Sequence, residues 1–368
     1  MTSRKNMLTL RHRNQSRKLR SRKLRLEPLE DRRLLAADLS SLPYEPFPNS
    51  DDGLSSDPVL IADGCCAALF GDLGSLAFEA DNITGDVFLV SLSSATTGVS
   101  VVGDDLLIAD SSGGDTDNQF KLSTDGTSLF VHDANNLLTT AILGADGNGT
   151  NTVTIPLTAF SGGIVVNALA GNDTLTVDFS GGNPIPQGGL SFHGGNPTSG
   201  PPGDALVLDT GTWSGSFHTI THTFLNESDG GISLDLDGSD GDPASTISYT
   251  GLEPVGDNLD AAHRVFTFNV GAETITLQDI VDAGGNQMQI DSSVGGETVQ
   301  FANPSGSLTI NAGSGNDVVV VASVDSAYGA SLIINGDGGN DAVNLNADIT
   351  FASGNFLDVD LANDASAG

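Results

Sequence analysis

Leu308-Thr309-Ile310-Asn311-Ala312-Gly313-Ser314-Gly315-Asn316-Asp317-Val318-Val319-Val320-Val321 returns 24 residues later as Leu332-Ile333-Ile334-Asn335-Gly336-Asp337-Gly338-Gly339-Asn340-Asp341-Ala342-Val343-Asn344-Leu345. Each copy is a short apolar run, a Gly-Asn-Asp turn and a second run with period-2 alternation. Gly and Asn tolerate positive φ at the turn, and β-branched Val and Ile suit a pleated, half-buried surface. Such a unit cannot bury its apolar side alone, so copies must stack.

Outward from this pair, Met288 to Phe301 reads as a copy in the same register, and Phe268 to Leu277 as one with a shorter turn. The acids Glu273, Glu297, Asp317 and Asp341 step by 24, 20 and 24 residues. Val166-Asn167-Ala168-Leu169-Ala170-Gly171-Asn172-Asp173-Thr174-Leu175-Thr176-Val177 repeats the unit upstream, and Ile142–Ile155 and Phe192–Leu208 read as versions with longer turns. A step of 20–24 residues matches one rung of a solenoid. The expected fold is all-β, a parallel β-helix or solenoid-like array behind a disordered basic N-terminus. Tandem β-sandwich repeats are the competing architecture, since they also show short strands separated by frequent turns. Asn311 and Asn335 could either stack as a ladder or each cap its own turn.

Charge divides the chain sharply. Twelve of the 14 Lys and Arg lie between Arg4 and Arg33 beside three acids, so the rest carries 14 − 12 = 2 basic residues against 47 − 3 = 44 acids, a formal −42. That field repels nucleic acid and anionic membranes and attracts cations. Asp far outnumbers Glu, as turns prefer and helices do not. No apolar run is long enough for a transmembrane helix. The adjacent Cys65 and Cys66 are expected to be free or buried thiols, because a vicinal disulfide is strained. Four segments follow: 1–37, a basic export or sorting segment; 38–80, a linker rich in Pro, Ser and Asp, with one strand near Val59-Leu60-Ile61; 81–260, an irregular β-repeat region; and 261–368, a regular one. The copy beginning at Val359 stops without a closing strand, so a fragment of a longer protein, or one end of an assembly, is expected.

Leu26-Glu27-Pro28, followed by Arg33-Leu34-Leu35 behind a basic leader, resembles the short N-terminal Leu-Glu-Pro-Arg…Leu-Leu motif of large exported proteins of planctomycete bacteria. Leu29-Glu30-Asp31-Arg32 between the two halves departs from it. The resemblance implies an extracellular or cell-surface location. Gly-Asn-Asp before an apolar strand also resembles the nonapeptide of calcium-binding β-rolls. On that likeness Asp173, Asp317 and Asp341 take the Asp position, Asp337 lies in the same turn as Asp341, and calcium is the candidate cofactor. Here, however, single turns lie about 20 residues apart rather than in tandem. If Asp317 and Asp341 stack at strand spacing, about 5 Å, they repel unless a cation intervenes. Solvated turn acids on a salt-adapted protein would give the same sequence.

Catalytic patterns are weak. His218 and His222 have metal-like spacing but no third ligand, and alternation over Phe217–Phe224 puts both on one face, read as exposed. Asp104-Asp105 is a chance pair among so many acids, and Arg264 alone is a poor anchor for an acidic polysaccharide. The expectation is a non-enzymatic extracellular or surface scaffold or adhesin, with polysaccharide or other surface proteins as partners and no nucleic acid. The alternative is a carbohydrate-binding or polysaccharide-degrading β-helix, for which one Trp (Trp213) and three Tyr offer few stacking rings.

Overall fold

In the computed structural model the described residues are 76–80, 87–91, 96–111, 116–195, 203–239, 245–269, 271–280, 286–294 and 296–361. The chain divides into two units, Met1–Leu60 and Ile61–Gly368, and every described residue lies in the second. The basic segment 1–37, the strand expected near Val59 and the Cys65-Cys66 pair lie outside the described residues.

The described residues are all-β apart from one 3-10 turn, Leu157–Ala159. β1 (Leu76–Ala80), inside the stretch read as linker, pairs antiparallel with β2 (Val87–Ser91) as a separate hairpin. From there the chain shuttles between two sheets. β3 (Thr96–Val102) and β4 (Asp105–Asp110) lie in the first, β5 (Gln119–Thr124) and β6 (Ser128–Asp133) in the second, β7 (Leu137–Thr140) in the first and β8 (Thr152–Pro156) in the second. β9 (Ile164–Asn167) and β11 (Leu190–His193) belong to the first sheet, alternating with β10 (Thr174–Asp178) and β12 (Asp204–Asp209) of the second. β13 (Phe217–Phe224), β14 (Gly230–Asp235) and β15 (Ser245–Thr250) return to the first sheet, β16 (Leu252–Asp257) to the second and β17 (Ala261–Thr267) to the first. β18 (Thr274–Asp279), β19 (Gln287–Ser292) and β20 (Val299–Ala302) follow in the second. The last alternation is β21 (Ser307–Asn311), β22 (Val318–Val321), β23 (Ser331–Asn335), β24 (Ala342–Leu345) and β25 (Leu357–Asp360).

The two copies quoted at the outset stack in register. Leu308, Ile310 and Asn311 lie opposite Leu332, Ile334 and Asn335 in parallel β21 and β23, and Val319 lies opposite Val343 in β22 and β24. Because side chains alternate across a strand, alternate residues of most strands enter one continuous apolar core, while β24 and β25 bury none completely. It runs from Leu106 and Phe120 through Phe192 and Phe266 to Ile334. Both sheets pass residue 260 without a break.

Two departures come from long-range pairing. Met288–Phe301 is not a rung in register with Leu308–Val321: β19 runs antiparallel to β18 (Leu277 opposite Ile290) and to β20 (Ile290 opposite Val299), a meander within one sheet. The parallel neighbour of β18 is β22, so Glu273 and Asp317 are adjacent-rung residues 44 positions apart. β13–β15 form a second such meander. Likewise, the face expected to expose both histidines of β13 does not exist. The alternation of burial slips by one between Phe217 and Ile220, and at the same height of β17 between Ala261 and Arg264. A slip of one residue exchanges faces. It turns His218 outward and buries His222 completely.

Candidate functional site: a column of buried carboxylates

The turn that carries the chain from the first sheet to the second has one geometry in several rungs. The second residue after the strand is left-handed in each: Leu169 (φ 72°), Gly195 (φ 103°), Gly313 (φ 86°) and Asp337 (φ 58°). The Gly that precedes Asn-Asp is required by the neighbouring rung. A Cβ on Gly339 would lie 1.3 Å from the Gly315 carbonyl oxygen, and one on Gly315 would lie 2.6 Å from the Ala272 nitrogen. Asparagines stack at the end of the first strand: Asn335 donates to Asn311 (2.8 Å), which donates to Thr267 (3.2 Å). The ladder, rather than separate turn caps, is therefore the role of Asn311 and Asn335.

At the start of the second strand the acids form a column. Four Asp carboxylates each reach back one rung and accept a backbone N–H through Oδ1. Asp173 accepts from Asn118 (2.6 Å), Asp204 from Asp173 (2.7 Å), Asp317 from Glu273 (2.9 Å) and Asp341 from Asp317 (2.9 Å). The Glu273 carboxylate accepts instead from the Ser292 hydroxyl. The other oxygens have no such partner: Oδ2 of Asp173, Asp204, Asp317 and Asp341, and Oε1 of Glu273 and Glu297, are buried without a hydrogen bond. Asp173 and Asp317 are fully buried, and Asp204, Glu273 and Glu297 nearly so.

Burial without a counter-charge favours the neutral acid. It raises Asp173 to about 7, with Asp204 and Asp110 adding to the effect against the Asn118 hydrogen bond. It raises Glu297 to about 9, helped by Glu253, Asp229 and Asp291. Asp204, Glu273 and Asp317 move the same way for the same leading reason. A carboxyl in this setting either keeps a proton or gives it up to a cation.

The four acids singled out from sequence do not share one site. Asp317 and Asp341 are consecutive members of the column, linked by the N–H to Oδ1 bond. Asp173 belongs with Asp204 to a second run of the same kind, and β18, β19, β20, β16 and β12 separate its strand from β22. Asp337 lies outside the column; it is the left-handed turn residue, and its Oδ2 accepts the Gly313 N–H at 3.3 Å. Among the described residues no group of three or more His, Cys, Asp or Glu side chains is placed to hold a metal ion. Sequence reading missed Asp204, although Gly203-Asp204 before Ala205-Leu206-Val207-Leu208 carries the same acid-to-strand junction.

A second polar group lies inside the core. Arg264, Asp257 and His222 are all fully buried. Arg264 forks onto both oxygens of Asp257 and donates to the carbonyls of Ala302 (2.8 Å) and Leu259. His222 Nε2 lies 3.0 Å from Asp257 Oδ2, and its ring stacks on Phe266. Burial pushes the Asp257 carboxyl up, but Arg264 and His222 together bring it down to about 2. The group joins β13 and β17 of one sheet to β16 of the other, which makes Arg264 a core residue and not a surface anchor.

Residues 15–39 match the family described as Planctomycete extracellular, and this span contains Leu26 to Leu35. No curated protein and no solved structure matches the chain. Among the described residues no helix is long and apolar enough to cross a membrane. The similarity of its N-terminal segment to that planctomycete family identifies the chain as an extracellular or cell-surface protein.

Proposed function

We propose that the protein is a non-enzymatic structural or adhesive scaffold, built as a parallel β-solenoid and stabilised by calcium along its carboxylate column. The solenoid reading is supported by the regular shuttling between two sheets and by parallel rungs 24 residues apart in both. One observation carries the calcium reading: buried carboxyl oxygens without hydrogen-bond partners recur at successive rungs of a strongly acidic body. Ca²⁺ takes six to eight oxygen ligands, so carboxylates would need turn carbonyls and water to complete a shell. Thermal unfolding in chelator and in millimolar Ca²⁺ tests it. Binding to the folded state alone should raise Tm by about 10 °C or more. Superimposable melts refute the calcium reading and leave the scaffold reading standing.

A carbohydrate-active β-helix is the second reading, favoured by a depression of about 570 Å³ lined by Glu227, Glu253, Asp291 and Glu297. Glu297, raised to about 9, would be protonated at neutral pH, as a general acid must be. Trp213 packs on Phe179 and Phe217, away from this depression. Polysaccharide cleavage abolished by Glu297→Gln would favour this second reading; glycan binding without cleavage fits the adhesive one.

A further inference from the structure

The slip shared by β13 and β17 has a consequence on the outer face of the first sheet. His218 on β13 and His263 on β17 stand side by side there, with ring centroids 4.9 Å apart and planes tilted by 58°. The strand order is β21-β17-β13-β14, so the two rings occupy the centre of a four-strand surface. Their Nδ1 atoms turn to opposite flanks. That of His218 meets the Thr219 hydroxyl at 2.9 Å and lies 3.9 Å from Asp235 at the end of β14. That of His263 meets the Ser307 hydroxyl on β21 at 2.8 Å.

From this geometry we infer that His218 and His263 form a two-imidazole site for a borderline transition-metal cation of the Zn²⁺, Ni²⁺ or Cu²⁺ class. In imidazole the two nitrogens sit on opposite sides of Cε1. Outward-turned Nδ1 atoms therefore leave the Nε2 side of each ring toward the gap between β13 and β17. In the tautomer in which the Thr219 and Ser307 hydroxyls accept Nδ1–H, each Nε2 keeps its lone pair, the usual arrangement of a metal-binding histidine. Two glycines make room for the rings. A Cβ on Gly238 would fall 2.7 Å from His218 Cε1 and Nδ1, and one on Gly306 would fall 2.9 Å from His263 Cε1. The surroundings favour a cation, since Asp235 and Asp237 are the charged groups beside His218. Two protein ligands leave the other positions of the ion to water. Imidazole nitrogen selects these metals over Ca²⁺, so the site is chemically separate from the carboxylate column.

His132 and His193 supply internal controls. Each has its Nδ1 on a cross-strand threonine hydroxyl, Thr152 and Thr250, as His263 has on Ser307, but neither is paired with a second imidazole among the described residues. The test is calorimetric titration of the full chain with Zn²⁺ in excess Ca²⁺. One equivalent should bind at pH 7.5 and be lost at pH 5.5, where protons compete for the imidazoles. His218→Asn and His263→Asn should each weaken binding at least about tenfold by removing the chelate, whereas His193→Asn should leave it unchanged. Ni²⁺ should broaden the imidazole proton resonances of His218 and His263 together in the unmodified protein, a readout that does not depend on a variant folding. No zinc binding, equal binding by the double variant, or equal sensitivity to His193→Asn overturns the site. A negative result here leaves the calcium melts unaffected.

Discussion

Asp173→Asn distinguishes a column that holds protons from one that holds cations. Asp173 is fully buried, its Oδ1 accepts the Asn118 N–H, and its Oδ2 has no partner. Its pKa is about 7 in the folded chain against an ordinary 3.8. Between these values the folded chain keeps a proton that the unfolded chain has released. Stability therefore falls as pH rises through this window and levels off above about pH 7. At 1.36 kcal/mol per pH unit the whole interval is worth up to about 4 kcal/mol, of which about 1 is already lost at pH 4.5. Asparagine keeps the Oδ1 acceptor and cannot ionise. It leaves its own amide unpaired, which costs about 1–3 kcal/mol at every pH. The pH-dependent part is therefore diagnostic: in chelator, Asp173→Asn should gain about 3 kcal/mol on the unmodified protein between pH 4.5 and 8. Urea unfolding at pH 4.5, 6 and 8 reads it. Asp257, held at about 2, contributes stability that is lost only below about pH 4, outside the window. With millimolar Ca²⁺ the sign should reverse at pH 8, because the substitution then removes a cation ligand. Parallel pH profiles of the two proteins in chelator would refute the proton-holding column.

Gly339→Ala should destabilise by about 3 kcal/mol or more, because its Cβ meets the Gly315 carbonyl of the rung behind; Gly103→Ala, whose Cβ meets nothing within 4 Å, isolates the cost of positive φ alone. Arg264→Met should cost about 3–5 kcal/mol by stranding Asp257 in the core, and Asp257→Leu added to it should recover much of that loss in chemical denaturation. Leu169→Gly should raise the midpoint of thermal unfolding, by up to about 1 kcal/mol of stability, since a half-exposed leucine there occupies the left-handed region.

The alternating Val, Ile and Leu of residues 308–345, with Gly-Asn-Asp between them, are enough to specify strand, turn and strand. Local sterics and the two-residue period act within a few residues, so they can be read from the chain itself. The column was half legible for the same reason: Glu273, Asp317 and Asp341 fall at like positions of like turns. What the acids do was not legible, because the N–H accepted by Asp341, Asp204, Asp317 or Asp173 belongs to a rung 24, 31, 44 or 55 residues away, respectively. Met288–Phe301 shows the limit most clearly. A parallel rung and an antiparallel meander demand the same alternation of apolar residues, and only the choice of neighbour, made by packing of the whole sheet, separates them. His218 and His222 show it again. A one-residue slip shared with β17 sends one imidazole to the surface beside His263 and the other into the core beside Asp257 and Arg264, and that slip exists only where two strands pair.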